Sequence, residues 1–279
     1  MVRHLFHKRV LGRVFIYLAA AVVILFTLFP IFYCISTATK TAVDAFSIPP
    51  KWLWIPTMDN FVNVYHTEGF MMSYLNSFVV AVMTTAFSLA FGIPCGYALA
   101  RGKGRGTAAM GTYIMITRML PAMGFAVPYY FIYKKVGLND TYIGLVLIYL
   151  TTQLPFTAWL LNGFCRTVPT EIEEAAMIDG CTVFQTLIRV IVPVIKPGIS
   201  TASVFAFMHS WNEYFYAKLI SGRNTRPVSY AVHKFVNDVG TNWGLLCAAS
   251  CMVAVPMILF ALISQKSLVR GLMAGAVKG

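Results

Sequence analysis

Six apolar runs, each long enough to cross the ~30 Å hydrocarbon core of a bilayer as a helix, dominate this chain. They extend from Val14 to Ser36, Ser73 to Ala100, Met110 to Tyr133, Ile143 to Phe164, Ile199 to Ile220 and Leu245 to Ser264. In lipid each backbone N–H and C=O must find a partner inside the protein, so such runs read as helices and not as open strands. Composition agrees: 58% of the residues are hydrophobic and 11% charged, with a mean hydropathy of +0.70, whereas soluble domains carry about 25% charged residues. An all-α integral membrane protein with six transmembrane helices is expected. The first run follows Arg3, His4, His7, Lys8, Arg9 and Arg13, as a signal peptide's core follows its charged start. Its roughly 23 residues, or ~34 Å of helix, exceed the core of about 7–15 residues that such a leader has, and indicate a retained span.

The net charge of +12 would suggest nucleic acid in a soluble chain. Here the cations sit in short stretches between apolar runs and form no nucleic-acid-binding pattern, so no nucleic-acid partner is expected. An even number of crossings leaves both termini on one side. The basic start, with Lys266, Arg270 and Lys278 at the end, marks that side as cytoplasmic. The Arg101, Lys103, Arg105 loop and the segment from Cys165 to Gly198 then face the cytoplasm, while Thr37 to Met72 faces outward. Lys218, Arg223, Arg226 and Lys234 lie on the assigned outer side, against the rule. Six cysteines with no CxxC pair read as small packing residues. Gly92 and Gly96 around Pro94 predict close helix packing with a kink, and Pro121 and Pro128 interrupt the third span.

The segment from Cys165 to Gly198 is the main polar feature of the cytoplasmic side. Thr170 with Glu173 three residues later forms a capping-box pattern. Gly180 permits a sharp turn, Phe184, Leu187 and Ile188 make an apolar stripe, and Pro193 and Pro197 limit the next helix. Two short helices joined at a glycine at the membrane surface are expected, an arrangement suited to docking.

Glu174-Ala175-Ala176, three residues, Gly180, then Ile191 and Pro193 match the EAA motif of ABC import permeases. Cys181 and Val192 depart from the alanine and leucine usual there. With Trp211-Asn212-Glu213 and the closing Gly275-Ala276-Val277-Lys278-Gly279, the chain resembles, over nearly its whole length, the smaller membrane subunit of maltose-type and other carbohydrate ABC importers. The resemblance implies the type I (MetI-like) permease fold, with a cytoplasmic N-terminus over 1–13, a six-span domain over 14–264 and a cytoplasmic tail over 265–279 extending towards the ATPase pair. The coupling segment is expected at about 169–193. It further implies that Glu174, Ala175, Ala176, Asp179, Gly180 and Pro193 form the surface that engages a separate ATPase. The expected partners are a sister permease completing a heterodimeric pore, two ATPase subunits, an extracytoplasmic solute-binding protein and membrane lipid, in a bacterial inner membrane. No Walker A pattern occurs in the chain. No cofactor is therefore expected on this chain, ATP and Mg being used by the partner ATPases, and it is not expected to be an enzyme.

Ionisable residues within a span are functional candidates, because an unpaired charge at that depth costs at least ~2.5–3.5 kcal/mol. Arg118, Asn212 and Glu213, with Trp211 beside them, are expected to line the substrate path. Trp211, Tyr214, Tyr129 and Tyr130 are the aromatic candidates, secondary to these, since aromatic faces bind sugars. The path would take a sugar, polyol, glycerol phosphate or sugar derivative. The rival reading, an ion-coupled secondary carrier, would draw on His209, one turn from Glu213, as a proton relay, and would need no coupling segment. No cluster among the five histidines supports an intramembrane enzyme.

Overall fold

A computed structural model describes residues 2–237 and 240–276, with side chains over 14–236 and 241–265. The closing Val277-Lys278-Gly279, the side chains of the N-terminal basic cluster, and those of Lys266 and Arg270 lie outside the described residues. The helices are α1 (Val2–Ala38), α2 (Phe70–Arg101), α3 (Arg105–Met119), α4 (Ala126–Lys135), α5 (Tyr142–Arg166), α6 (Thr170–Ile178), α7 (Lys196–Asn212), α8 (Phe215–Ile220) and α9 (Trp243–Ala276), with shorter helical turns between. The all-α reading holds apart from a two-residue antiparallel pairing of Val236–Asn237 with Gly240–Thr241.

Four of the six expected spans are uninterrupted helices of sufficient length and apolarity: Val14–Ala38, Phe70–Arg101, Tyr142–Arg166 and Trp243–Gln265. The other two are broken. The third divides into α3 and α4, because Pro121 supplies no N–H and the backbone runs extended through Leu120 and Pro121 before a 3-10 turn at Ala122–Phe125. Pro128 causes no second break, since it lies in the first turn of α4, where its missing N–H is not needed. The fifth stops at Asn212 and resumes at Phe215. A further 82° bend separates the helical stretch Val183–Val194 from α7.

The chain forms two compact units, Met1–Thr67 with Lys234–Met252, and Glu68–His233 with Val253–Gly279. In the first, Asn60 Nδ2 donates to the carbonyls of Ala38 and Lys40 at 2.9 and 2.8 Å, closing the chain back onto the end of α1. Cys34 Sγ lies 4.0 Å from Cys251 Sγ. Apolar side chains from Val14 to Ile31 stand exposed along α1, a surface suited to lipid.

The second unit is organised by α2 against α5. Gly92 faces Thr157, and a Cβ at Gly96 would lie 2.9 Å from both the Ala158 carbonyl oxygen and the Asn162 nitrogen, so the expected close packing is present. Ser88 and Thr157 hydroxyls share a 2.6 Å hydrogen bond across the contact. Two apolar clusters flank it. One joins Val80, Tyr133, Leu145, Ile148, Tyr149 and Tyr216, and the other joins Tyr97, Leu161, Cys165, Leu187, Ile191 and Ala202. Gly96→Val should destabilise the detergent-solubilised protein by about 1–3 kcal/mol, because backbone atoms cannot yield to the new methyls. Gly111→Ala, whose added Cβ would meet no neighbouring atom within 4 Å, should leave the thermal midpoint unchanged or slightly raised; equal midpoints for the two variants would contradict the close contact.

Candidate functional site

The EAA segment forms the expected helix, turn and helix. α6 spans Thr170–Ile178 and ends at Gly180, whose φ of +87° is a conformation that a residue with a Cβ resists. The capping box lies elsewhere than the spacing suggested. No side chain caps α6, whereas Thr182 and Gln185 cap the following turn reciprocally, at 2.9 and 3.3 Å. Glu173 does not reach back to Thr170 because a stronger partner holds it. It is 4% exposed, and its carboxylate accepts from Arg101 Nε at 2.7 Å and from the Tyr97 hydroxyl at 2.9 Å. Arg101 Nη2 also donates to the Val168 carbonyl at 2.7 Å. A carboxylate in so buried a place requires such charge-assisted bonds.

With Glu173 turned inward, Glu174, Ala175 and Asp179 are exposed and Ala176 is half-buried; Pro193 is exposed as well. The expected stripe divides. Leu187 and Ile191 enter the core with Ile195, four residues apart on one face, while Phe184 and Ile188 point outward. Leu187–Ile191 is a π-helical turn, a local widening often found at functional positions. Met177, Ile178, Val183 and Phe184 stay exposed, adding an apolar border to the Glu174-Ala175-Ala176 surface.

Arg118 lines a cavity of about 360 Å³ with Thr152, Gln153, Phe156, Phe205 and His209. Its guanidinium lies 4.6 Å from the centre of the Phe156 ring, and among the described residues no ion pair neutralises it. Asn212 and Glu213 line a second, more open cavity with Phe205, Met208 and His209, so the two cavities share Phe205 and His209. Arg118 and Glu213 are not paired with each other. Glu213 also works locally, because its carboxylate accepts the Tyr216 N–H at 3.0 Å and so serves the first turn of α8 after the break. His209 Nε2 lies 3.3 Å from the Thr152 hydroxyl, and no hydrogen-bond partner reaches its Nδ1. Trp211 is not with this group. It is 0% exposed, its indole N–H donates to the Val253 carbonyl at 3.1 Å, and its ring packs on Phe207 and Tyr74. Tyr129 packs against Tyr133 and Tyr216, Tyr130 stands beneath Lys134, and Tyr214 stacks on His233; none lines either cavity.

Sequence reading missed two further sites. Tyr97 and Arg101 lie 72 or more residues from Glu173 in the chain; the available signal was an arginine closing a span on the same side as a Glu-Glu pair. Asp140 was not singled out at all. It adopts a φ of +55° and gathers the segment after α8. Its Oδ1 accepts from the Gly222 and Thr225 N–H groups and the Thr225 hydroxyl at 2.8–2.9 Å, and its Oδ2 from the N–H and side-chain amide of Asn224. A Cβ on Gly222 would meet the carboxylate at 2.5 Å. Burial pushes the Asp140 carboxyl up, but these donors outweigh it and hold it below the usual carboxylate range. A carboxyl lowered on folding contributes its stability above its unfolded value and loses it as the pH falls through the folded one. Amide exchange at Asn224 and Thr225 should therefore stay slow from neutral pH down to about 4, corrected for intrinsic rates, and accelerate below that. Asp140→Asn should make it fast at every pH, and a wild-type profile with no acid limb would contradict the assignment.

The chain's similarities agree with this geometry. The family described as "Binding-protein-dependent transport system inner membrane component" matches residues 88–272. The diacetylchitobiose uptake system permease protein DasC of Streptomyces coelicolor is 32% identical, over 98% of this chain and 99% of its own. The trehalose transport system permease protein SugB of Mycobacterium tuberculosis is 32% identical, over 91% and 93%. In the crystal structure of a bacterial ABC transporter that imports the acidic polysaccharide alginate, one chain superposes with a TM-score of 0.78 at 23% identity, covering 92% of this chain and 96% of that one. At that identity the likeness establishes the MetI-like fold alone.

Proposed function

Since this chain belongs to the family of binding-protein-dependent transport system inner membrane components, we propose that it is one permease subunit of an ATP-driven importer for a carbohydrate or related solute. The observation that carries this reading is the coupling segment. Its exposed Glu174-Ala175-Ala176 surface, small enough for close approach, ends at the Gly180 turn and stands on a carboxylate, Glu173, locked into the membrane body. Glu174 and Asp179 offer polar contacts to an ATPase subunit, Ala175 and Ala176 admit it closely, and Pro193 lies in the last turn of the helical stretch Val183–Val194, just before the bend into α7.

In this reading a sister permease completes the pore, two ATPase subunits use ATP and Mg, and an extracytoplasmic solute-binding protein delivers the solute. Both termini are cytoplasmic, the tail over 265–279 reaching towards the ATPases, and the chain itself catalyses no reaction. Nucleotide binding closes the ATPases and draws the coupling segments together; hydrolysis resets them. Each step shifts the balance between inward-open and outward-open states through differential binding. The cavities lined by Arg118, Asn212 and Glu213 form this chain's share of the path. Their mixture of a cation, amides, a carboxylate and aromatic walls suits hydroxyl-rich solutes, in keeping with the sugars for which the relatives are named.

Copurification in mild detergent tests the ATPase partnership. The wild-type chain, expressed with its transport system, should bring down ATPase activity, Glu174→Lys and Gly180→Asp should lose at least about tenfold of it, equivalent to ~1.4 kcal/mol, and Cys181→Ala should retain it. A wild-type chain without ATPase that transports on an ion gradient would return the carrier to favour. Arg118→Ala should change the concentration dependence of uptake at unchanged yield of complex. Glu213→Ala, which also strips the acceptor from the Tyr216 N–H, should lower yield as well, with a stability loss of about 1–3 kcal/mol. Unchanged uptake in both variants would remove these residues from the path.

A further inference from the structure

α2 holds polar anchors at both of its ends. At the inner end Tyr97 and Arg101 grip Glu173 of the coupling segment. At the outer end Asn76, 1% exposed, donates both amide hydrogens, to the carbonyls of Asn224 and Arg226 at 3.0 and 3.2 Å, and accepts from the Tyr142 hydroxyl at 2.7 Å. Ser77, equally buried, accepts the Val228 N–H at 2.7 Å. Roughly 21 residues, or about 32 Å of helix, separate Asn76 from Tyr97. Asn76 thus has both amide hydrogens and its carbonyl engaged, and losing it would remove the donor from two carbonyls of the outer segment.

α5 reinforces this arrangement. It is locked to α2 by Gly92, Gly96 and the Ser88–Thr157 bond. Asp140, two residues before α5, holds the same outer segment, and Val168, two residues after it, accepts from Arg101. Two other routes across this unit are interrupted: α3 and α4 part at Leu120–Phe125, and α7 begins at an 82° bend and stops at Asn212. A broken helix absorbs displacement at its break, whereas a continuous one carries it to its far end.

We propose that α2, braced by α5, is a strut that couples the coupling segment to the outer segment Gly222–Val228. Movement of Glu173, driven by the ATPases, then reappears at the outer segment, and by reciprocity of binding free energies a partner docking on the outer segment is felt at Glu173. Tyr97, Arg101, Asn76 and Ser77 are positioning residues in this device. The proposal rests on the reading of the chain as a permease worked by separate ATPases.

The test uses the complex with its ATPase subunits in lipid nanodiscs, and Mg-ATP with and without orthovanadate as the probe. Amide exchange is read on the peptide covering 222–228. In the wild type, vanadate trapping should change exchange there by about tenfold or more, the scale set by remaking a buried hydrogen bond. Glu173→Gln should leave exchange of that peptide at the wild-type rate without nucleotide, yet abolish its response to trapping; a role confined to local packing on the inner side would not alter that response. Asn76→Ala reads the strut from its other end, and applies also if Glu173→Gln fails to hold the ATPase. There, the response at 222–228 should be reduced several-fold, with only what Ser77 and Asp140 still carry remaining, while that of 170–178 is kept. A wild-type outer segment that ignores trapping, or one that responds undiminished in Asn76→Ala, would overturn the strut while leaving the functional reading intact. A chain that brings down no ATPase would overturn the functional reading and the strut with it.

Discussion

Burying a carboxylate at the edge of a membrane helix carries a desolvation penalty of several kcal/mol, recovered only where its oxygens meet charged or well-aligned donors. Glu173 meets that condition through Arg101 and Tyr97. Its neighbour then has to face outward, since consecutive residues of a helix project about 100° apart. The orientation of the exposed Glu174-Ala175-Ala176 surface thus depends on the bonds that Arg101 and Tyr97 make to Glu173. Without them, α6 would have no reason to present Glu174 and Ala175 in preference to its other residues, for it lacks a side-chain cap and is only nine residues long, too short to be stable without tertiary contacts.

The second unit divides its polar groups in two ways. Several of those that join elements are satisfied: Ser88 with Thr157, Asn76 with the carbonyls of Asn224 and Arg226, Asp140 with its donors. Those at the cavities are left open, notably the Arg118 guanidinium over Phe156 and the Nδ1 of His209. The broken helices serve the second set. Irregular backbone at membrane depth is tolerated where it borders a cavity, and Arg118 and Glu213 each stand beside such a break.

Much of this was legible in the residues. Uninterrupted apolar runs became α1, α2, α5 and α9, Gly96 sits where only glycine fits, and Gly180 takes the positive φ that its place in the motif required. Pro121 announced one break. The break after Asn212 had no proline or glycine to mark it, being sustained by Glu213 on the Tyr216 N–H. Glu173 read as a cap because local spacing shows only local partners, and Arg101 is 72 residues distant. Trp211 read as a residue of the substrate path for a similar reason: besides Phe207 one turn before it, its burial is decided by Tyr74 and the Val253 carbonyl, which lie far from it in sequence. Asp140 belongs with these, since its donors lie more than eighty residues downstream.

The residues lining the two cavities and those anchoring α2 at its ends share no member. Side chains such as Arg118, Met208 and Asn212 can consequently be exchanged without disturbing Glu173 or Asn76. Under the proposed function, a lineage of such proteins can move from one solute to another by small steps, each intermediate keeping the anchors of α2. On that reading the machinery that uses the energy is shielded from the experiments that diversify the cargo.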